Sequence, residues 1–225
     1  MPAEKNKSGM FPRAVDSKLK AWMDTKGRKP LIVRGARQVG KTVAVKLFAR
    51  HFDHFVNLNM DLAADAELFQ RRLDIRDLYQ AILLKRRISA SEGNILLFLD
   101  EIQSCPEAVD SLRYFHEVLP DVFVIAAGSL LEIALHEKHI GFPVGRVAHL
   151  FMYPLSFREF LVATDAGPVL AAFDTVPLPA YAHPELLQQF HRYTLIGGMP
   201  EVVAEDAGKQ DITALKPVYE SLLTS

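Results

Sequence analysis

Cysteine is almost missing from this chain. Cys105 is the only one in 225 residues, which excludes an internal disulfide framework and suits a reducing cytosol. It sits beside Pro106 in a loop-like stretch with no recognisable base nearby, so a catalytic thiol is not expected. Long hydrophobic runs are missing as well: "VFVIAAGSLLEIAL", residues 122 to 135, is too short for a bilayer span and carries Glu132. The N-terminal "MPAEKNKSGMFPR" has charge but lacks the apolar core of a secretion signal. A soluble cytoplasmic protein with no membrane association is the expectation.

An excess of one charge sign is missing too. The 26 basic residues are balanced by 27 acidic ones, for a net charge of −1, and this weakens a nucleic-acid reading, which calls for a basic stripe. The local cluster "FQRRLDIRDLYQAILLKRR" at 69 to 87 reads as one amphipathic helix, with Leu73, Leu78, Ile82 and Leu83 buried and the arginines solvated. Zinc signatures are incomplete: in "HEKH" the histidines His136 and His139 are three apart rather than four. "SKLK" at 17 to 20 lacks the companion motifs of a serine-lysine acylase.

What is present is a globular composition, 49% hydrophobic and 24% charged, in a chain long enough for one α/β core plus a helical appendage. Val15, Leu19 and Trp22 are spaced for a helix over residues 12 to 25, with Pro12 in its first turn. Short runs rich in Val, Ile, Leu and Phe then alternate with helical stretches: "LIVRGA", "HFVNLNM", "NILLFLDEI" and "VFVIAAGS". That pattern predicts a parallel sheet covered on both faces. "ILLFL" and "VFVIAA" are continuously apolar and should be central, whereas "HFVNLNM" alternates and should lie nearer an edge. "AHLFMYPL" is expected as a fifth strand, and from "SFREFLVA" onward only helices are expected. Residues 166 to 184, proline-rich and poorly periodic, read as a long linker or an irregular lid element. The boundaries follow: a helical segment over 1–29, a core over 30–155, and a helical lid region over 156–225.

One stretch carries chemistry. Residues 35 to 42, "GARQVGKT", fit G-x-x-x-x-G-K-[ST] where the mechanism requires it, after a strand and opening a helix. By chance that pattern should occur in on the order of one chain in a hundred of this length, so context decides. Gly35 and Gly40 let the backbone approach an anion, and Ala36, Arg37, Gln38, Val39 and Val43 complete the stretch whose N–H groups would face phosphate oxygens. The helix start adds its positive dipole end. Lys41 would reach the β- and γ-phosphates, and the Thr42 hydroxyl would ligate Mg²⁺. "NILLFLDEI" supplies the second element, a buried strand ending in Asp100, suited to the Mg²⁺ shell, and Glu101, suited to deprotonating the attacking water. Ser129, after the next apolar strand, stands where a γ-phosphate sensor belongs.

"GARQVGKT", "LFLDEIQ", "AAGSLLE", "GRV", "YPLSFREF" and "GGMPEVV", in that order from about residue 11 to about residue 204, resemble the ATPases with an AAA-type core found widely in bacteria and archaea, the group that also carries a C-terminal domain of unknown function. The resemblance implies a three-layer P-loop NTPase sandwich with a central five-stranded parallel sheet of the additional-strand order. It implies ATP, hence adenine, with Mg²⁺ as cofactor. It assigns Lys41 and Thr42 to phosphate and metal, Asp100 to Mg²⁺, Glu101 as catalytic base and Ser129 as sensor; Gln103, following "DEI", also matches. Arg146 matches an arginine that could meet the γ-phosphate of its own or a neighbouring subunit, and Gly197, Gly198 and Pro200 resemble a motif that related ATPases place against the nucleotide. Helix stop and restart is the other reading of those glycines. Family members continue into a second domain, so this chain looks like the ATPase half alone, with its last residues the start of a linker.

The expected function is therefore Mg²⁺-dependent ATP binding and hydrolysis by a molecular switch or motor, with ATP and ADP as ligands and a homo-oligomer or protein as partner. Two alternatives stay open: an ATP-binding interaction module with little turnover, and a nucleic-acid-stimulated remodelling or defence ATPase. A small-molecule kinase fits less well, because Glu101 directly after Asp100 suits water activation rather than transfer to an acceptor.

Overall fold

Because the run Ile95–Asp100 is apolar to its last residue, it can only be accommodated with both faces covered; every one of its six residues is buried. The computed structural model describes residues 11–89, 93–129, 145–209 and 212–224. The chain divides into two units, a sheet unit of Val15–Arg37 and Lys41–Met152 and a helical unit of Met1–Ala14, Gln38–Gly40 and Tyr153–Ser225.

In the sheet unit, β1 (Leu31–Arg34), β2 (His54–Asn59), β3 (Ile95–Asp100), β4 (Phe123–Gly128) and β5 (Ala148–Phe151) form one parallel sheet in the order β2-β3-β4-β1-β5. The expected fold is the observed one. β3 and β4 are interior, and the alternating β2 is an edge strand, with β4 inserted between the two strands that carry the motifs. Helix α1 (Ala14–Met23) precedes the first strand; parallel strands require crossovers, here α2 (Lys41–Phe48) between β1 and β2, α3 (Ala63–Gln70) and α4 (Ile75–Arg86) between β2 and β3, and α5 (Pro106–Val118) between β3 and β4. α1 buries the expected Val15, Leu19 and Trp22, and α5 opens on Pro106, whose missing N–H costs nothing in a first turn. Leu97, Leu99, Ile82 and Leu112 are among the fully buried side chains of its core, each contributing about 1.5–3 kcal/mol by leaving water.

The stretch expected as one helix over 69 to 87 is two elements. Asp74 caps α4, its carboxylate accepting from the N–H groups of Arg76 and Asp77, so Leu73 falls before the helix and is exposed, while Leu78, Ile82 and Leu83 are buried as expected. Three of the six basic side chains there have acidic partners: Lys85 and Arg86 reach Asp65, and Arg71 reaches Glu67.

The helical unit contains α6 (Phe157–Ala163), α7 (Gly167–Phe173), α8 (His183–Ile196), α9 (Pro200–Lys209) and α10 (Lys216–Thr224). Ser156 and Glu159 form a capping box at the start of α6. Phe157 and Phe160, three apart, pack on aromatics of this same unit, Phe173, Phe190 and Tyr193. Residues 166 to 184, expected as irregular, hold α7 and a short 3₁₀ turn at Ala180–Ala182. The seven-residue helix is too short to display a period, and Pro168 marks its start rather than a break. In "IGGMPEVV" the chain stops α8 and restarts α9 at Pro200. Gly198 is there because backbone meets backbone: its carbonyl accepts from Leu155 N–H at 2.6 Å, and a Cβ would stand 2.2 Å from the Leu155 carbonyl oxygen.

Candidate functional site

All five strands point the same way, so the loops after β1, β3 and β4 emerge at one edge of the sheet, where open α/β sheets take their ligands. The register is tight: Arg34, last in β1, pairs with Gly128, and Leu99 pairs with Ala126. Gly35, Asp100 and Ser129 are thereby brought to that edge together.

After Gly35, the loop through Ala36, Arg37, Gln38 and Val39 turns back with Gln38 at φ 62° and Gly40 at φ 91°, the second a backbone angle that a side chain rarely tolerates. α2 then begins at Lys41, so its first N–H groups and its dipole face the loop. Lys41 is buried, and its Nζ donates to the carbonyls of Gly35 at 3.0 Å and Ala36 at 2.8 Å. Burial pushes its pKa down, while Glu101 and then Asp100 pull it back up and Arg37 adds a smaller downward push. Thr42 Oγ1 donates to Asp100 Oδ2 at 2.9 Å across 58 residues of sequence. That bond joins the two motifs. Val43, next along α2, is exposed.

Asp100 is buried and its pKa is raised, above all by desolvation, with the Thr42 hydrogen bond working against the rise. Glu101 follows at φ 49°, a left-handed conformation costing a non-glycine residue of order 1 kcal/mol. The turn aims its side chain at Gln103, whose Nε2 donates to Glu101 Oε2 at 2.6 Å. Ser129 is buried directly after β4.

The donor set decides what the site suits. A threonine hydroxyl beside one buried carboxylate offers hard oxygens, too few for an all-protein cage and apt for a small divalent cation that keeps phosphate and water as its other ligands. Among the described residues no cluster of three or more His, Cys, Asp or Glu could hold a metal; His136 and His139 lie outside the described residues.

Arg146 is not brought to this group in its own chain. It precedes β5, whose Ala148 pairs with Leu31 at the start of β1 and whose Phe151 pairs with Arg34 at its end, so Arg146 stands at the opposite edge of the sheet. Its Nε donates to Glu117 Oε1 at 2.7 Å in the last turn of α5, about 16 Å along the helix from Pro106. Motif matching gives an arginine no position along a strand, and the register does.

Sequence reasoning missed Arg13 and Glu159. Arg13 donates through Nε to Glu159 Oε1 at 3.0 Å, through one terminal nitrogen to the Val39 carbonyl at 3.1 Å, and through the other to the Tyr153 carbonyl at 2.7 Å. The phosphate-loop residue Val39 is thus tied to an arginine 26 positions earlier. Glu159 lies within the quoted motif "YPLSFREF" and Arg13 near the start of the resembling stretch, and no local spacing announces that the two meet.

A five-stranded parallel sheet of this order, flanked by helices, is the α/β fold of P-loop nucleoside triphosphatases. The model of the AAA domain matches residues 27–161, more than half of the chain, and the chain belongs to that family. No curated protein matches it. Among solved structures, C. elegans PCH-2 is similar, at 12% identity and a TM-score of 0.44, over 77% of this chain and 51% of PCH-2; the chain spans about half the length of that relative. Family membership supports a nucleotide-binding function of the ATPase type. Among the described residues no helix is long and apolar enough to cross a membrane.

Proposed function

We propose that the chain is a Mg²⁺-dependent ATPase whose turnover drives a conformational switch. The observation that carries the proposal is the hydrogen bond between Thr42 and Asp100, which joins the phosphate loop to a carboxylate at the end of the other motif strand, β3, across the intervening β4. In this reading the N–H groups of residues 35 to 43 bind the polyphosphate, and Lys41 exchanges its two carbonyl partners for β- and γ-phosphate oxygens. Thr42 and Asp100 hold Mg²⁺, which when bound neutralises charge on the phosphates. Glu101 orients the attacking water and takes its proton, and Ser129 contacts the γ-phosphate. Positioning and charge do the work, so turnover is slow until a partner or second subunit completes the site.

Arg146, placed at the opposite edge, belongs in this proposal to the site of a neighbouring copy rather than its own. The pairing of Lys85, Arg86 and Arg71 with carboxylates speaks against a nucleic-acid-stimulated role. The order of the six motifs supports the narrower kinship with the bacterial and archaeal ATPases that carry a C-terminal domain.

Glu101→Gln tests the assignment. Steady-state phosphate release should fall by about 10²–10⁴-fold, the usual worth of a general base, with ATP affinity unchanged. Wild-type turnover in that variant would remove Glu101 as base, and ATP binding without measurable phosphate release by either chain would leave an ATP-binding module.

A further inference from the structure

Gln103 lies two residues beyond Glu101 in the 3₁₀ turn Ile102–Ser104, which is closed by Ser104 N–H donating to the Glu101 carbonyl at 3.0 Å. The turn places the two side chains within reach, and the amide Nε2 donates to Glu101 Oε2 at 2.6 Å. Chemistry fixes which end of the amide faces the glutamate, because an ionised carboxylate only accepts. The other end, Oε1, is then turned onto β4, where a Cβ at Gly128 would stand 2.4 Å from it and 3.6 Å from Ile102 Cγ2. Gly128 closes β4 in ordinary strand pairing with Arg34, so the backbone does not require glycine there. The space taken by the Gln103 amide does. Ser129 follows immediately.

We infer that Gln103 is a positioning residue, a strut between β4 and Glu101 that holds the carboxylate in the one orientation its work needs. The inference rests on the reading of Glu101 as the base. A glutamate on a three-bond side chain, at the start of a turn, otherwise samples several rotamers. An amide packed into the space over Gly128, with its donor on the carboxylate, removes that freedom, and it fixes the base relative to the strand that precedes Ser129. Gly128 is the partner that admits the strut.

The test is a cycle of variants in the full chain, read by steady-state phosphate release, ATP affinity by titration and thermal midpoint. Gln103→Ala should lower kcat by about 10–100-fold while ATP affinity changes less than about twofold, because a misaimed group costs rate rather than binding. Gly128→Ala, which drives the amide from its place, should lower kcat in the same direction. In a Glu101→Gln background, adding Gln103→Ala should cost nothing further, since the two act as one unit. Equal losses from Gln103→Ala in both backgrounds would show a merely structural glutamine and overturn the inference, as would unchanged or raised kcat in Gln103→Ala. Should Glu101→Gln alone leave turnover intact, the base assignment fails, and the inference fails with it; a dead Glu101→Gln beside a fully active Gln103→Ala fails the inference alone.

Discussion

The loop edge of the sheet and the helical unit treat buried charge in opposite ways. In the sheet unit, Lys41 and Asp100 are both buried and both are pushed toward their neutral forms, the lysine down and the aspartate up, with desolvation the first cause in each. In the helical unit, Asp206 is buried but receives two hydrogen bonds from Arg192, whose own pKa is raised first by that contact. Glu159 there is pushed up by burial, yet hydrogen bonds from Ser156, Ala14 and Arg13 outweigh it and hold the carboxyl below its ordinary range. Charges that serve the fold are saturated by partners. Those at the sheet edge are left short of partners by the chain itself, which is what a site awaiting a charged ligand requires.

The largest effect that would sharpen this contrast is at Asp100. Its folded-state pKa is above the ordinary value, so the folded chain holds that proton more tightly than the unfolded chain does, and stability declines as pH rises from about 4. Asp100→Asn should therefore melt at the same temperature as wild type or higher at pH 8, with the gap closing toward pH 4. The same variant should lose Mg²⁺-dependent turnover by about 10²-fold or more. A clear drop in melting temperature at pH 8 would break the contrast, because it would mean that Asp100 is already satisfied by the fold.

Arg13 should behave in the reverse sense. Removing it leaves Glu159 buried with one partner fewer, so Arg13→Ala should cost about 2 kcal/mol at pH 7 in urea unfolding. Glu159's folded pKa is depressed, so the stability it contributes is present above the ordinary carboxylate value and lost as pH falls through the folded one. The penalty of the variant should shrink accordingly below about pH 4. A pH-independent penalty would mean that the arginine acts by packing.

The smallest effect is expected at Arg146, which is about half exposed and paired with Glu117 at the surface. Arg146→Ala should change stability by about 1 kcal/mol or less. Dilute protein should keep its basal turnover, and any stimulation that grows with protein concentration should disappear. Loss of basal turnover at high dilution would instead place this arginine at its own chain's site.

Much of the fold was legible because burial leaves a local trace. "ILLFL" has no polar position to turn toward water, and "HFVNLN" alternates as an edge strand does. The phosphate loop was legible because its glycines, lysine and threonine sit at fixed offsets in consecutive sequence. What remained hidden depends on contacts without a local period. Arg13 meets Glu159 across 146 residues, the strut Gln103 is explained by a glycine on another strand, and α7 is too short for periodicity to separate it from the loops around it. Leu73 was misplaced for a local reason: the capping power of Asp74 outweighed a hydrophobic spacing that ran through it.

The central claim is that residues 35 to 42 bind the phosphates of a nucleotide, and calorimetric titration of ATP with Mg²⁺ into the wild-type chain and into Lys41→Ala tests it most directly. Wild type should bind saturably, and the variant should lose that binding while remaining folded. Equal binding by both, or none by a folded wild-type chain, would contradict it.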